Sequence, residues 1–310
     1  MKEELHKKLI IIGIILQIIT IIPALLFIWR FIIRKIINPN PIRKYKQKDS
    51  YALITGASEG VGKAYAKRLA KEGFNLILIA RRKQLLQEIK EELESQYKID
   101  VIILNYDMLN MTDEQWNEIE QLLSEKNVTA LFNNVAMSTK GKYHEIEITK
   151  IKNVVSLNID VMLKTTHLFI NHTKSTQKNL IVFVSSVTAG QDSPCLSMYA
   201  STKSFIKQFG RSISYEYKHI DCTVFVPWHI STEMIGNMKP VLGVATADEF
   251  AESCFVHVGL TNCIDPFIPH YLQDWGYSIV RNEKKNKSSL EEYETFARQR
   301  AENGIVNNQN

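Results

Sequence analysis

Cysteine is scarce in this chain. There are four in 310 residues (Cys195, Cys222, Cys254 and Cys263), all in the C-terminal half. None stands at C-x-x-C or His/Cys ligand spacing, which argues against a disulfide framework and a thiolate metal site and leaves reduced thiols packed inside a fold. Charge of one sign is also lacking. Lys and Arg number 38 against 33 Asp and Glu, a net charge of +5. Much of that surplus lies in one segment rather than across a face, so nucleic acid is not an expected partner. Internal repeats are absent. The hydrophobic share of 45% and charged share of 23% are those of an ordinary folded protein. The length suits one large α/β domain or two small ones.

Polar residues nearly vanish between Leu9 and Ile33, an apolar run, mostly Ile and Leu, interrupted by Gly13, Gln17, Thr20, Pro23 and Arg30. About 20 apolar residues cross a bilayer core as a helix. A cleaved signal peptide has a shorter apolar region and a small-residue cleavage site. With no polar face to meet water, a core helix fits poorly, and a retained signal anchor is expected. Lys2, Lys7 and Lys8 precede the span, offset by Glu3 and Glu4. Arg34, Lys35, Arg43, Lys44, Lys46 and Lys48 follow it with no acid before Asp49. That bias predicts a cytosolic main domain, and the basic run suits anionic headgroups. The expected organisation is a short segment 1–8, a transmembrane anchor 9–33, a basic linker 34–49, a folded domain 50–280 and a polar tail 281–310. Asn110, Asn127, Asn171 and Asn286 open N-x-Ser/Thr triplets, which matter only for a lumenal domain.

From Tyr51 short apolar runs alternate with amphipathic ones. Strands are expected at Tyr51–Thr55, Phe74–Ala80, Val101–Tyr106, Val128–Phe132, Leu180–Ser185 and Cys222–Pro227. Helices are expected at Gly62–Lys71, Lys83–Tyr97, Asp113–Glu125, Ile146–Asn171 and Ser201–Tyr217. The fold class is α/β, a doubly wound parallel-sheet Rossmann fold preceded by an N-terminal transmembrane helix, with ligands at the carboxyl ends of the strands. Beyond Met234 the signal weakens: a helix at Ala247–Gly259, a strand at Phe267–Leu272 and a tail helix near Ser289–Ala301 are the readings.

Thr55 ends an apolar strand and Gly62 opens a helix, the context a phosphate-binding loop needs. Glycine permits close approach to a pyrophosphate, and the helix N-terminus supplies free N–H groups. The loop residues Gly56, Ser58, Gly60, Val61 and Gly62 follow Gly-x-x-x-Gly-x-Gly and not the commoner Gly-x-Gly-x-x-Gly. The second strand ends Ala80-Arg81-Arg82, with no acid for a ribose 2′-OH. Arg81 and Arg82 instead suit a 2′-phosphate, so NADP(H) is preferred over NAD(H). Asp107 after the third strand could meet the adenine edge or serve as a plain turn residue. Asn134 follows the fourth strand, where the backbone runs beside the cofactor.

Tyr199 and Lys203 are four apart and share a helix face. A free tyrosine has a pKa of about 10. A nearby ammonium favours the phenolate and is expected to lower it. Ser186 ends the fifth strand, where its hydroxyl can bind a carbonyl oxygen. Together with the glycine loop, this set points to a redox enzyme.

Thr55-Gly56…Gly60…Gly62, Asn133-Asn134, Asn158, Ser186, Tyr199 and Lys203 resemble the motif set of the short-chain dehydrogenase/reductases over roughly Ser50–Gly259. The anchor, Asn133–Ser138, Tyr199–Phe205 and Val226-Pro227…Ser231-Thr232 resemble more narrowly the membrane-bound 17-beta-hydroxysteroid dehydrogenase / very-long-chain 3-oxoacyl-CoA reductase subgroup. The resemblance implies that Tyr199 donates the proton, Ser186 orients the carbonyl and Lys203 also holds the nicotinamide ribose. It implies that Asn158 carries a water in the proton relay, and that Pro227 and Thr232 border the cofactor. Ala136 and Trp228 stand where the family more often has glycine. Trp228, Met234, Ile235 and Met238 would make the lid apolar. The resemblance further implies an NADPH-dependent ketone reductase in the endoplasmic reticulum membrane, single-pass with a cytosolic catalytic domain, although no dilysine signal ends the chain. Its lipophilic substrate would be a 3-oxoacyl-CoA or a keto-steroid, with 3-ketosphinganine as an alternative. A redox-inactive scaffold of the same fold is the rival reading. A homodimer and elongation-complex subunits stay open as partners, beside the membrane itself.

Overall fold

The structure, a computed structural model, describes residues 2–233, 239, 243–279, 291, 294 and 295. The chain divides into two compact units, residues 1–41 and 42–310. In the first unit α1 (Lys2–Ile28) is one helix of 27 residues, followed by a π-helical turn at Trp29–Ile33 and a short α2 (Arg34–Ile37). In α1 the side chains of residues 2, 3, 5, 9, 12–16, 18–20 and 23 lie outside the description. Among the described residues no helix is long and apolar enough to cross a membrane. The span expected at 9–33 is thus helical in its backbone, and its apolar side chains are described only in part.

In the second unit the strands are β1 (Ser50–Thr55), β2 (Asn75–Ala80), β3 (Val101–Asn105), β4 (Asn127–Asn133), β5 (Asn179–Val184) and β6 (Ile220–Phe225). The small strands β7 (His229–Ser231) and β8 (Val244–Thr246) pair with each other, and β9 (Cys263–Ile264) joins the main sheet. That sheet is parallel, in the order β3-β2-β1-β4-β5-β6-β9. Every residue of β1 and β5 is buried. Covering on both faces explains why these strands read as unbroken apolar runs rather than alternating ones. The order reverses between β1 and β4, which opens a crevice at the carboxyl ends of those strands.

Helices α3 (Gly60–Lys71), α4 (Lys83–Tyr97), α5 (Asp113–Glu125), α6 (Ile148–Val155), α7 (Val161–His172), α8 (Ser197–Ile213) and α9 (Ala247–Phe255) alternate with the strands. Thr112 with Gln115, and Thr246 with Glu249, build capping boxes that fix where α5 and α9 begin. On one face of the sheet Trp116, Ile119, Phe169 and Ile206 join the core. Elsewhere in the unit Phe132 stacks on Phe255 and Tyr65 tilts against both, with ring centroids 5.0–6.1 Å apart. Burial of such rings is the main favourable term holding helices to sheet.

Three departures from the sequence reading bear on the site. The helix expected at Ile146–Asn171 starts at Ile148 and is broken by a π-helical turn, Ser156–Asp160, that carries Asn158. The strand expected at Phe267–Leu272 is instead helix α10 (Ile268–Ile279). Pro269 sits in its first turn, where the missing N–H costs nothing, so the proline signalled a helix start. Finally, Ile42 and Tyr45 are fully buried in the second unit. The Tyr45 hydroxyl donates to Asp221 Oδ2 (2.7 Å), and Arg43 pairs with Glu72 (2.7 Å), so residues 42–45 are docked onto the domain. Met234, Ile235, Met238 and most of the tail helix expected at Ser289–Ala301 lie outside the described residues.

Candidate active site

The crevice runs from the glycine loop, across the ends of β4 and β5, to the start of α8. The loop is lashed down from β4. Thr55 Oγ1 accepts the N–H groups of Asn134 (3.1 Å) and Val135 (3.1 Å), and Asn134 Nδ2 donates to the carbonyls of Thr55 (3.0 Å) and Gly56 (3.2 Å). The cost of bending here falls on glycine. Gly56 has φ +69°, and a Cβ built on Gly62 would lie 2.1 Å from the Gly56 carbonyl oxygen. Only a hydrogen fits, which is why the chain needs glycine at 62. Gly56, Ser58, Gly60 and Val61 line the crevice at the N-terminus of α3, whose free N–H groups and dipole favour an anion. Thr232 closes the loop from the other side, 3.1 Å from a Cβ built on Gly60. This cradle fits a dinucleotide pyrophosphate.

Arg81, Arg82 and Asp107 line the neighbouring part of the crevice. Asn105 Nδ2 holds the end of β2 by donating to the carbonyls of Ala80 (3.2 Å) and Arg81 (2.7 Å). Asp107 accepts from the Leu109 N–H (3.3 Å) and the Asn110 amide (2.8 Å), a turn residue that also borders the cleft. Arg82, which the sequence reading suits to a 2′-phosphate, has two carboxylate partners in the structure. Arg82 is bound at one end by Glu59 (2.8 Å) and at the other by Glu233 (2.6 Å). Burial, together with a hydrogen bond donated to Glu233, raises the Glu59 carboxyl above its ordinary value. Hydrogen bonds accepted from Arg82 and Glu59 hold Glu233 below it.

Ser186, Tyr199 and Lys203 meet where β5 ends and α8 begins. Ser186, whose Oγ accepts the Thr188 N–H (3.3 Å), and Tyr199 both line the crevice. Ser185 Oγ donates to the Lys203 carbonyl (2.7 Å), tying β5 to α8. Lys203 is 2% exposed; its Nζ donates to the Val184 carbonyl (2.8 Å) and lies 5.6 Å from the Tyr199 ring centroid. The expected lowering of the tyrosine is not found. Burial pushes the Tyr199 hydroxyl up to about 12, opposed by the Ser186 side chain. Burial also pushes Lys203 down to about 7. Desolvation penalises each charged form, and an amine that itself resists charging cannot strongly favour a phenolate. At neutral pH the phenol is protonated, the state a proton donor requires.

Asn158 is buried, and its amide is occupied. Its Oδ1 accepts from the Met137 N–H (2.9 Å), and its Nδ2 donates to the Met137 carbonyl (3.0 Å) and to Thr202 Oγ1 (3.0 Å). The side chain therefore pins the loop after β4 to α8, and the π-turn around it is a backbone irregularity common at functional sites. Pro227 and Trp228 form the opposite wall. Behind them stands fully buried His270. Its Nδ1 accepts from the Trp228 N–H (3.3 Å), which leaves Nε2 to donate to the His229 carbonyl (3.1 Å). Glu59, Asn105, Glu233 and His270 were not legible as site residues. For Glu59, its place inside the glycine loop was the one available signal.

A family model described as short chain dehydrogenase matches residues 50–241. A very-long-chain 3-oxoacyl-CoA reductase-B of Danio rerio is 29% identical over 231 residues, 73% of this chain and 74% of that protein. A 17-beta-hydroxysteroid dehydrogenase type 3 of Mus musculus is 30% identical over 273 residues, 84% of this chain and 86% of that one. Among solved structures, a short-chain dehydrogenase of Sphingobium yanoikuyae in complex with NADPH superposes with TM-score 0.62 at 25% identity, over 67% of this chain and 84% of that one.

Proposed function

Because this chain belongs to the short-chain dehydrogenase family, we propose that it is an NADPH-dependent reductase of a ketone on a lipophilic substrate, a 3-oxoacyl-CoA or a keto-steroid. The observation that carries the reading is the convergence of Ser186, Tyr199 and Lys203 on one end of a crevice whose other end is the glycine cradle. The names of the similar proteins support the substrate class.

Bound along the crevice by the glycine loop, NADPH would supply the hydride. Ser186 and Tyr199 hydroxyls hold the substrate oxygen and stabilise the charge that develops on it. Tyr199 then gives up its proton to that oxygen. Lys203, behind the ring and hydrogen-bonded to the Val184 carbonyl, borders the same part of the crevice, and by the resemblance it would also hold the nicotinamide ribose. Asn158 keeps the Met137 loop in place beside the substrate, and a relayed water at this turn fits the resemblance. Arg81 and Arg82 favour the 2′-phosphorylated cofactor, with Pro227 and Thr232 bordering it. Met137, Leu157, Trp228 and Ile230 make the substrate end apolar, which suits an acyl chain or a steroid.

We place the enzyme in the endoplasmic reticulum membrane, anchored once with its catalytic unit in the cytosol. Support comes from the continuous α1 backbone, the exposed Ile21, Ile22, Leu25 and Leu26, and the basic residues that follow. The deciding experiment offers the purified chain NADPH with a long-chain 3-oxoacyl-CoA, a keto-steroid or 3-ketosphinganine and follows nicotinamide absorbance. Turnover of one of the first two is expected. Turnover of 3-ketosphinganine alone would reassign the substrate, and cofactor binding without turnover of any would favour a redox-inactive scaffold.

A further inference from the structure

Three segments far apart in sequence meet at the adenosine end of the crevice. Glu59 is the N-cap residue of α3, inside the glycine loop. Arg82 caps the helix after β2. Glu233 follows Thr232, the residue that closes on Gly60. The guanidinium bridges the two acids, Nη1 to Glu59 Oε2 at 2.8 Å and Nη2 to Glu233 Oε2 at 2.6 Å. All three side chains are about half exposed, at 44–54%. All three also line the crevice.

We propose that Glu59 and Glu233 form with Arg82 a latch across the adenosine end of the cofactor crevice, which a 2′-phosphate must open by taking Arg82 from its two carboxylates. The proposal deepens the NADP(H) reading given above and rests on it. Its physical basis is charge. A 2′-phosphate is a dianionic ligand in search of guanidinium, and the one it meets at Arg82 already has both ends satisfied. Two carboxylates beside the incoming phosphate repel it until one swings away. A ribose bearing only hydroxyls meets no such penalty, because carboxylates accept O–H bonds. Glu59 and Glu233 therefore set how strongly the chain discriminates between phosphorylated and unphosphorylated cofactor. The ion pairs are exposed, so each contributes modestly and is screened by salt.

The test titrates the full chain calorimetrically with 2′,5′-ADP and with 5′-AMP, at low and high salt. Glu59→Gln/Glu233→Gln should bind 2′,5′-ADP about three- to ten-fold more tightly than the native chain. Binding of 5′-AMP should stay level or weaken. Adding Arg82→Gln to the pair should erase the gain, and high salt should shrink it. An unchanged or weakened affinity for 2′,5′-ADP in the double variant would overturn the latch while leaving the cofactor reading intact. Failure of the native chain to bind either nucleotide would overturn the cofactor reading and the latch together.

Discussion

Lys203→Met should make the protein more stable near neutral pH while removing its activity. The ammonium is enclosed between α8 and β5, with the Val184 carbonyl 2.8 Å away as its hydrogen-bond acceptor. Burial moves its pKa from 10.5 to about 7. Between those values the unfolded chain holds a proton that the folded chain releases. Stability supplied by this group therefore rises with pH from about 7 to about 10.5 and is flat outside that window. The full displacement corresponds to at most about 5 kcal/mol, of which about 2–3 kcal/mol falls between pH 7 and pH 9. Methionine keeps the length and the packing and cannot titrate. It leaves the Val184 carbonyl unpaired, a cost of roughly 1–3 kcal/mol that does not change with pH. Urea unfolding of the cofactor-free chain in mild detergent, native against variant, would measure the difference at several pH values. The variant's relative stability should be greatest at pH 7 and decline by about 2–3 kcal/mol by pH 9. A difference that stays constant across that range would refute the claim that an ionisable amine is buried there. The expected trade of stability for activity follows from keeping an ionisable amine buried at the site.

Tyr199→Phe should cut kcat by at least about 100-fold with cofactor affinity nearly unchanged, since only the phenolic oxygen is lost; a rate close to native would sink the proton-donor assignment. Gly62→Ala should weaken cofactor binding and lower stability by roughly 1–3 kcal/mol, because the new Cβ meets the Gly56 carbonyl oxygen in a turn held from β4. Native denaturant midpoints and cofactor affinity in that variant would contradict the cradle geometry. In sealed microsomes, added protease should digest the catalytic unit and Asn110, Asn127, Asn171 and Asn286 should carry no glycan. Protection of the unit, or a glycan on any of the four, would reverse the proposed orientation.

Much of the α/β core was legible because its signals are local. β1 and β5 are buried on both faces and so read as apolar runs. The strand–helix alternation gave the parallel sheet, and the short apolar strands were located to within one or two residues. The glycine loop was legible because tight turns restrict residue type. Gly62 faces a carbonyl oxygen, and no other residue fits. The helix at 268–279 was misread for an equally local reason. Pro266 and Pro269 mark the end of one element or the start of another, and apolar periodicity over six residues does not separate a strand from a first helical turn.

The electrostatics of the site were not legible, because they depend on partners distant in sequence. Glu59, Arg82 and Glu233 lie 23 and 151 positions apart, and nothing near Arg82 in the sequence announces its two carboxylates. The same holds for Tyr199 and Lys203. Their spacing of four guarantees that they share a face, which suggests an ammonium lowering a phenol. It says nothing about how dry that face is. Lys203 lies beneath β5, and desolvation there acts on both groups, up for the phenol and down for the amine. A motif thus specifies which groups meet, and burial by the rest of the chain specifies their protonation. His270 makes the point from a third direction. It comes from α10, the element the sequence misassigned, and it reaches the catalytic wall only because that helix packs behind Trp228 and His229. Geometry of this kind becomes visible only after the chain has folded, since each contact is set by where two separate elements end.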